Sequence, residues 1–186
     1  SHNRPDFIEL QHKTFKAFLQ DDYEFVVFND APTHEMTQQI EAACQKCAIR
    51  CIRIPQEIHT RPYLPTVRKE NSQEPAYRCA HVVQYSLDVL GFGHKGIVAI
   101  VDSDMFLTKP FSIETYLTGY DIVGHKQERG PITYLWNGLL FINMNTLPDK
   151  ESFNVNCGIV EGHRVDVGGY LYYYLRKHPE INIRYY

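Results

Sequence analysis

The sequence predicts an α/β fold in which helices flank a mixed, mostly parallel sheet. Helix and strand patterns alternate along the chain, and the order strand–helix–strand generally makes the two strands parallel. Residues 96–101 are apolar on both faces, as expected of a central buried strand. The 186 residues, of which 44% are hydrophobic and 22% charged, suit one ordinary globular domain.

The first third of the chain contains one complete strand–helix–strand unit. Residues 7–19 place apolar side chains on one helical face, just after a proline that favours a helix start. Residues 23–28 are apolar and rich in strand-forming residues. Thr33 can cap a helix over 33–47, and residues 49–54 alternate as a second strand does. We therefore expect these two strands to be parallel neighbours.

The remaining elements follow a long irregular segment. Residues 55–74 contain three prolines among polar residues, and loops of this length are usually lids or binding loops. A helix over 75–90 ends at Gly91. After it we predict, in chain order, the strand 96–101, a helix over 112–117, strands 120–123 and 139–143, a helix over 166–178 and a strand 181–186.

The chain opens on polar residues, whereas a wound α/β sheet normally opens on a strand. No linker or internal repeat divides the sequence. We therefore expect one domain over residues 1–186, either with its first strand before residue 1 or as part of a longer protein.

Charge and hydropathy exclude two classes of partner. The 19 Lys and Arg residues against 22 Asp and Glu residues give a net charge of −3, without the basic footprint of nucleic-acid binding. No apolar stretch approaches the roughly 18 residues that a membrane helix needs, so no integral membrane segment is expected.

Cysteine usage indicates a reducing compartment. Five cysteines are an odd number, and no apolar leader begins the chain, so we expect a cytoplasmic protein. Cys44, Cys47 and Cys51 have a spacing that suggests metal binding. However, they cross a predicted helix–strand junction without a clear fourth ligand. We expect them to be free, buried thiols.

The strongest candidate for chemistry is Asp102-Ser103-Asp104. It follows the buried strand 96–101 directly, and ligands of parallel sheets bind beyond the carboxyl ends of the strands. Two carboxylates one residue apart can converge on Mg²⁺ or Mn²⁺, which prefer oxygen ligands and leave positions for phosphate oxygens. A solvated acidic turn is the alternative reading.

Four sequence pieces together resemble nucleotide-sugar glycosyltransferases of the GT-A fold. "IVAIVDSDMFLTKP" (97–110) is similar to their D-x-D region, and "SHNRP" (1–5) to the segment after their first strand. "WNGLLFINM" (136–144) is similar to a strand that carries sugar or acceptor contacts. "DVGGYLYYYL" (166–175) is similar to a late acidic residue that opens a helix beside the sugar.

The resemblance implies an enzyme that moves a sugar from a nucleotide diphosphate, with UDP-sugars favoured, to a glycan or other acceptor. It implies Mn²⁺ or Mg²⁺ at Asp102 and Asp104 and catalytic roles for Asp104 and Asp166. A third metal ligand would come from His163, from His178 or from a missing C-terminal segment. The implied nucleotide and donor contacts are His2, Asn3, Arg4, Asp30, Arg78, Asp102 and Ser103. The implied sugar or acceptor contacts are Trp136, Asn137, Gly138 and Gly169. Arg61, Arg68 and Lys69 are further candidate phosphate contacts.

Ordinary structural roles remain open for several of these residues. Asp30 suits a turn, Asp166 suits a helix N-cap, and Arg78 suits an exposed helix surface. Trp136 and Asn137 suit loop packing. The alternative functions are a non-catalytic nucleotide- or carbohydrate-binding module and a sugar-phosphate nucleotidyltransferase. The second of these needs a Gly-rich, Arg-bearing loop, which "SHNRP" does not supply.

Overall fold

A computed structural model describes residues 1–60 and 75–186, and it shows a mixed α/β protein. The chain divides into two compact units. The first contains Ser1–Gln56 and Asp102–Tyr116, and the second contains Glu57–Val101 and Leu117–Tyr186. None of the helices in the described ranges is long and apolar enough to cross a bilayer. A cytoplasmic location stays a prediction.

The first unit contains the predicted strand–helix–strand arrangement. Its strands β1 (Val26–Asn29) and β2 (Arg50–Arg53) are parallel, with Val27 opposite Cys51. Helix α2 (His34–Lys46) connects them. The Thr33 hydroxyl accepts a hydrogen bond from the backbone N–H of Met36 at 3.2 Å, so the predicted N-cap is confirmed.

Helix α1 (Pro5–Phe18) completes the core of the first unit. Its Ile8 is buried with residues of β1 and α2 in one apolar cluster. The end of α1 is tied to the Asp102–Tyr116 segment, because Phe111 and the Phe18–Gln20 backbone exchange hydrogen bonds of 2.9 Å. Helix α4 (Ile113–Leu117) begins within the same segment.

The second unit contains a four-stranded sheet in the order β3-β5-β4-β8. Its strands are β3 (Ile97–Val101), β4 (Ile122–Arg129), β5 (Ile132–Asn143) and β8 (Ile183–Tyr185). Helices α3 (Pro75–Val89) and α5 (Leu171–Lys177) bury Leu87 and Leu171 in the same apolar cluster as Leu140 of β5. This cluster is the main core of the unit.

The pairing of strands differs from the mostly parallel sheet that the sequence predicts. In the described residues, β5 is antiparallel to both β3 and β4, whereas β4 and β8 are parallel. The cause is a tight turn at Gly130, with φ of 59°, which folds the long strands β4 and β5 into a hairpin. Strand β3 therefore lies at one edge of the described sheet, whereas the sequence predicted a central strand.

The predicted helix over 166–178 is wrong in its first turn. Helix α5 begins at Leu171, so Asp166 neither opens nor caps it. Asp166 instead follows a short hairpin formed by β6 (Gly158–Val160) and β7 (His163–Val165), which the sequence reading missed. Its carboxylate accepts a hydrogen bond from the N–H of Val167 at 2.8 Å.

Candidate functional site

The Asp102-Ser103-Asp104 segment forms a turn that a buried glutamine holds in place. The Gln11 side chain, only 5% exposed, donates hydrogen bonds of 2.9 Å to the carbonyl oxygens of Asp102 and Met105. The N–H of Met105 also donates to the carbonyl of Asp102 at 3.1 Å. Helix α1 therefore fixes the backbone on both sides of the two carboxylates.

The two carboxylates have different environments. Asp102 is partly buried, and Ser103 and Asp104 are exposed. Burial raises the pKa of Asp102, and the neighbouring charge of Asp104 raises it further. The fold thus holds the two carboxylates close enough for the charge of Asp104 to make Asp102 ionise less easily. A bound cation would relieve that repulsion.

The raised pKa of Asp102 predicts that Asp102→Asn stabilises the protein at neutral pH. The folded state holds this proton to higher pH than the unfolded state, so stability is lost as pH rises from about 3.9 through the folded pKa. At pH 7 the wild type therefore carries a penalty that the variant lacks. Thermal unfolding should give the variant a higher Tm at pH 7, with the difference shrinking at pH 3.5.

An exposed aspartate provides the control for this comparison. Asp22 lies in the same unit and is exposed, so Asp22→Asn should leave the Tm almost unchanged at both pH values. A Tm of Asp102→Asn at or below that of the wild type at pH 7 would contradict the assignment.

The two hydrogen bonds from Gln11 predict that Gln11→Glu loosens the acidic turn. An ionised glutamate cannot donate to either carbonyl, so two acceptors lose their donor. We expect a loss of roughly 1–3 kcal/mol in the free energy of unfolding, measured by urea titration. Gln38→Glu, at an exposed position of α2, is the matched control. Equal stability of the two variants would refute the role given to Gln11.

Asp30 lies in a polar cluster at the carboxyl end of β1. It is only 3% exposed, and its Oδ1 accepts a hydrogen bond from the Gln56 side chain at 3.0 Å. The ring Nδ1 of His2 lies 2.9 Å from the carbonyl oxygen of Asp30 and 3.6 Å from its Oδ2. Asp30 is therefore a buried carboxylate with side-chain partners, not an exposed turn residue.

An arginine and a buried asparagine hold this strand end. Arg53 donates hydrogen bonds of 2.8 Å to the carbonyls of both Asn29 and Ala31. The fully buried Asn29 side chain accepts from the N–H of Ala31 at 3.1 Å and donates to the carbonyl of Thr37 at 3.2 Å. These contacts set the path of the backbone through Asp30.

The segment 2–4 contributes exposed polar side chains. His2 adjoins Asp30, as described above. Asn3 is exposed. Arg4 forms a bidentate pair with Asp6, at 2.9 and 2.6 Å, and its guanidinium stacks on the ring of Phe7 at 3.5 Å. A phosphate contact by Arg4 would have to compete with Asp6.

In the second unit, a turn packs its backbone against strand β5 beside Asn137. Gly168 has a φ of 90°, and a Cβ atom at this position would overlap the carbonyl oxygen of Leu135. The buried Asn137 side chain contacts the Cys79 sulfur at 3.6 Å. Because Cys79 neighbours Arg78 on α3, the structure brings the segments of Arg78, Asn137 and Asp166 together within this unit.

The remaining predicted sugar contacts have clear local environments. Asp166 is exposed, and Trp136 is partly buried with its ring edge-on to His125 at 6.4 Å. Trp136 and the buried Gly138 lie within β5 and not in a loop. A Cβ atom at Gly169 would overlap the Val165 side chain, so packing alone accounts for this glycine. Arg78 is partly buried.

In the described part of the chain, no third histidine, cysteine or carboxylate joins Asp102 and Asp104. Within residues 1–60 and 75–186, no group of three or more His, Cys, Asp or Glu side chains is placed to hold a metal ion. The oxygen donors of Asp102 and Asp104 suit Mg²⁺ or Mn²⁺, which commonly keep water and phosphate as their other ligands. Arg61, Arg68 and Lys69 lie outside the described residues.

Sequence reasoning missed Gln11, Arg53 and Gln56, which hold the two acidic positions of the first unit. Only a weak signal in the sequence pointed to these residues. Gln11 interrupts the apolar face of an amphipathic helix, and Arg53 interrupts an otherwise apolar strand end. Polar residues at such positions are expected to have specific partners when buried.

Comparisons of the chain with protein-family models, with curated proteins and with solved structures gave no match. The functional argument therefore rests on the residues and their arrangement.

Proposed function

We propose that this chain is a metal-dependent glycosyltransferase of the GT-A type, which transfers a sugar from a nucleotide diphosphate, preferably a UDP-sugar, to a glycan or other acceptor. The observation that carries the proposal is the acidic turn. Asp102 and Asp104 directly follow a strand, Gln11 holds their backbone, and the pKa of Asp102 is raised. Two carboxylates kept together despite their repulsion are typical of a cation site.

Residues of the first unit account for recognition of the nucleotide diphosphate in this proposal. Asp102 and Asp104 would hold Mn²⁺ or Mg²⁺, which neutralises the negative charge that develops on the leaving diphosphate. Asp30, oriented by Gln56, offers a carboxylate to a base N–H. The exposed His2, Asn3, Arg4 and Ser103 are assigned to the polar surroundings of the nucleotide.

Residues of the second unit account for the sugar and the acceptor. Asp166 is exposed, and its carboxylate can orient a hydroxyl or accept a proton from it. Trp136 is partly exposed and offers an aromatic ring to a sugar, and the resemblance assigns Asn137, Gly138 and Gly169 to further sugar or acceptor contacts. Arg78 is the candidate phosphate contact on α3.

A donor panel tests this proposal. The protein would be incubated with UDP-sugars and GDP-sugars, with Mn²⁺ or with EDTA, and the released nucleoside diphosphate would be quantified. Metal-dependent release from one class of donor supports the proposal. Nucleotide binding without release from any donor would indicate a binding module instead. Formation of a nucleotide-sugar with release of pyrophosphate, from a nucleoside triphosphate and a sugar phosphate, would indicate a nucleotidyltransferase.

A further inference from the structure

A groove lies between helix α5 and strand β8 in the second unit. Its volume is about 480 Å³, which is within the range of roughly 300–1,000 Å³ typical of small-molecule sites. Residues of α5, of β8, of the segment that joins them and of the start of β5 line it. In the described part of the chain, the groove shares no residue with those assigned above to the nucleotide, the sugar or the acceptor.

The floor of the groove is apolar. Leu175 of α5 and Ile183 of β8 pack against the main core of the unit, and Ile181, which is only 9% exposed, belongs to that core. Aliphatic side chains offer no hydrogen bond, so a ligand rich in hydroxyl groups would lose water on this floor without replacement. The floor therefore suits an apolar ring.

Two tyrosine rings also line the groove. Tyr172 belongs to α5, and Tyr185, which is 45% exposed, belongs to β8. Aromatic side chains contribute a large contact area and pair favourably with another ring, either offset or edge-to-face. A ligand ring in the groove can therefore contact tyrosine as well as the aliphatic floor.

Arg176 provides the charge in the groove. Its Nη1 donates a hydrogen bond to the Tyr172 hydroxyl at 2.8 Å, and the guanidinium carbon lies 5.4 Å from the centre of that ring. Among the described residues, Arg176 forms no ion pair, and its Nε and Nη2 have no acceptor. Arg4 uses the same two nitrogens to bind the carboxylate of Asp6. Arg176 therefore offers a fork that matches a carboxylate.

We propose that the groove binds a small aromatic carboxylate, whose ring packs on Ile181 and Ile183 and whose carboxylate accepts hydrogen bonds from Arg176. An acidic sugar would satisfy Arg176 but place hydroxyl groups on the aliphatic floor. A neutral aromatic molecule would fit the floor but leave the fork of Arg176 without an acceptor. The two features together select the class of ligand. This inference does not depend on the proposed glycosyltransferase activity.

The test is a titration of the full, ¹⁵N-labelled chain with indole-3-acetate, followed by amide chemical shifts. We expect saturable shifts at Thr133, Leu175 and Ile183, with a dissociation constant of about 1 mM for a ligand of this size. Indole-3-acetamide has the same shape without the charge, and it should bind about tenfold more weakly. Glucuronate, a carboxylate without an aromatic ring, should bind more weakly than indole-3-acetate.

Three results would overturn the proposal. Equal binding of the acid and its amide would show that Arg176 does not select an anion. Stronger binding of glucuronate would indicate a carbohydrate site. The absence of saturable shifts in the groove with indole-3-acetate would show that the groove is not a site for aromatic acids.

Substitutions locate the binding within the groove. Arg176→Gln should weaken indole-3-acetate about tenfold, whereas Lys95→Gln, at an exposed position of the same unit outside the groove, should keep the wild-type affinity. Thr133→Trp should fill the groove and abolish binding. Wild-type affinity in Arg176→Gln would contradict the assignment. Because Arg176 is exposed, its variant and the wild-type titration decide the question even if Thr133→Trp fails to fold.

Discussion

The Asp104→Ala variant is expected to lose metal-dependent turnover of the nucleotide-sugar. Asp104 is exposed, so its removal creates no cavity and leaves the turn held by Gln11. In the proposed function, the variant loses one of the two carboxylates that would hold the cation, and with it the stabilisation of charge on the leaving diphosphate. Removal of a single electrostatic group of this kind lowers the catalytic rate about 100- to 1,000-fold. Release of nucleoside diphosphate under saturating Mn²⁺ measures the effect.

An exposed aspartate elsewhere in the same unit controls for charge. Asp22→Ala removes one negative charge at an exposed position, and we expect it to retain the wild-type rate. Asp22→Ala should unfold like the wild type, and Asp104→Ala should be at least as stable, because it removes the repulsion from Asp102. Asp104→Ala with a rate close to that of Asp22→Ala would show that this carboxylate does not take part in catalysis.

Gly168→Ala is expected to have the largest effect on stability. Gly168 has a φ of 90°, and a Cβ atom would meet the backbone carbonyl of Leu135, which cannot rotate away as a side chain can. The left-handed backbone costs an alanine about 1–2 kcal/mol, and the overlap adds about 1–3 kcal/mol. Because the turn carries Asp166, its displacement should also impair turnover.

A second glycine separates these two contributions. Gly162 has a φ of 80° in the β6–β7 turn, and nothing lies within 4 Å of where its Cβ would be. Gly162→Ala therefore measures the backbone term alone. Urea unfolding should show Gly168→Ala to be less stable than Gly162→Ala by the overlap term. Equal losses would mean that the backbone at 168 can move away from β5 without cost.

Local signals were sufficient for the elements of the first unit. The Thr33 cap, the apolar face of α1 and the parallel β1–β2 pair follow from capping and periodicity over a few residues each. The extended hairpin of β4 and β5 did not follow from periodicity. The outer half of β4, residues 125–129, is polar and mostly exposed, so it has no apolar alternation to reveal a strand.

The prediction of where α5 begins failed for a related reason. Asp166 followed by an apolar, Tyr-rich run has the pattern of a capped helix, and that pattern is local. The structure instead uses Gly168 to bring the turn onto the backbone of Leu135, a contact more than 30 positions away in the sequence. In the sequence, a long-range backbone contact of this kind is marked only by a glycine, and a glycine alone does not reveal the contact.

The candidate site was predictable in its charged residues but not in what holds them. Asp30 and Asp102 were identified because each follows an apolar strand. Their partners, Gln56 and Gln11, come from other elements and become recognisable only when the fold brings them together. A lone glutamine has no pattern that distinguishes a surface residue from one that positions an acidic turn.

The proposed function requires this chain to bind a nucleotide diphosphate through a cation at Asp102 and Asp104. Titration calorimetry of UDP and of GDP, each with and without Mn²⁺, tests it most directly. We expect Mn²⁺-dependent binding of one nucleotide, UDP by preference, that Asp104→Ala loses and Asp22→Ala keeps. Binding of neither nucleotide at any Mn²⁺ concentration, or equal binding by Asp104→Ala and the wild type, would contradict the claim.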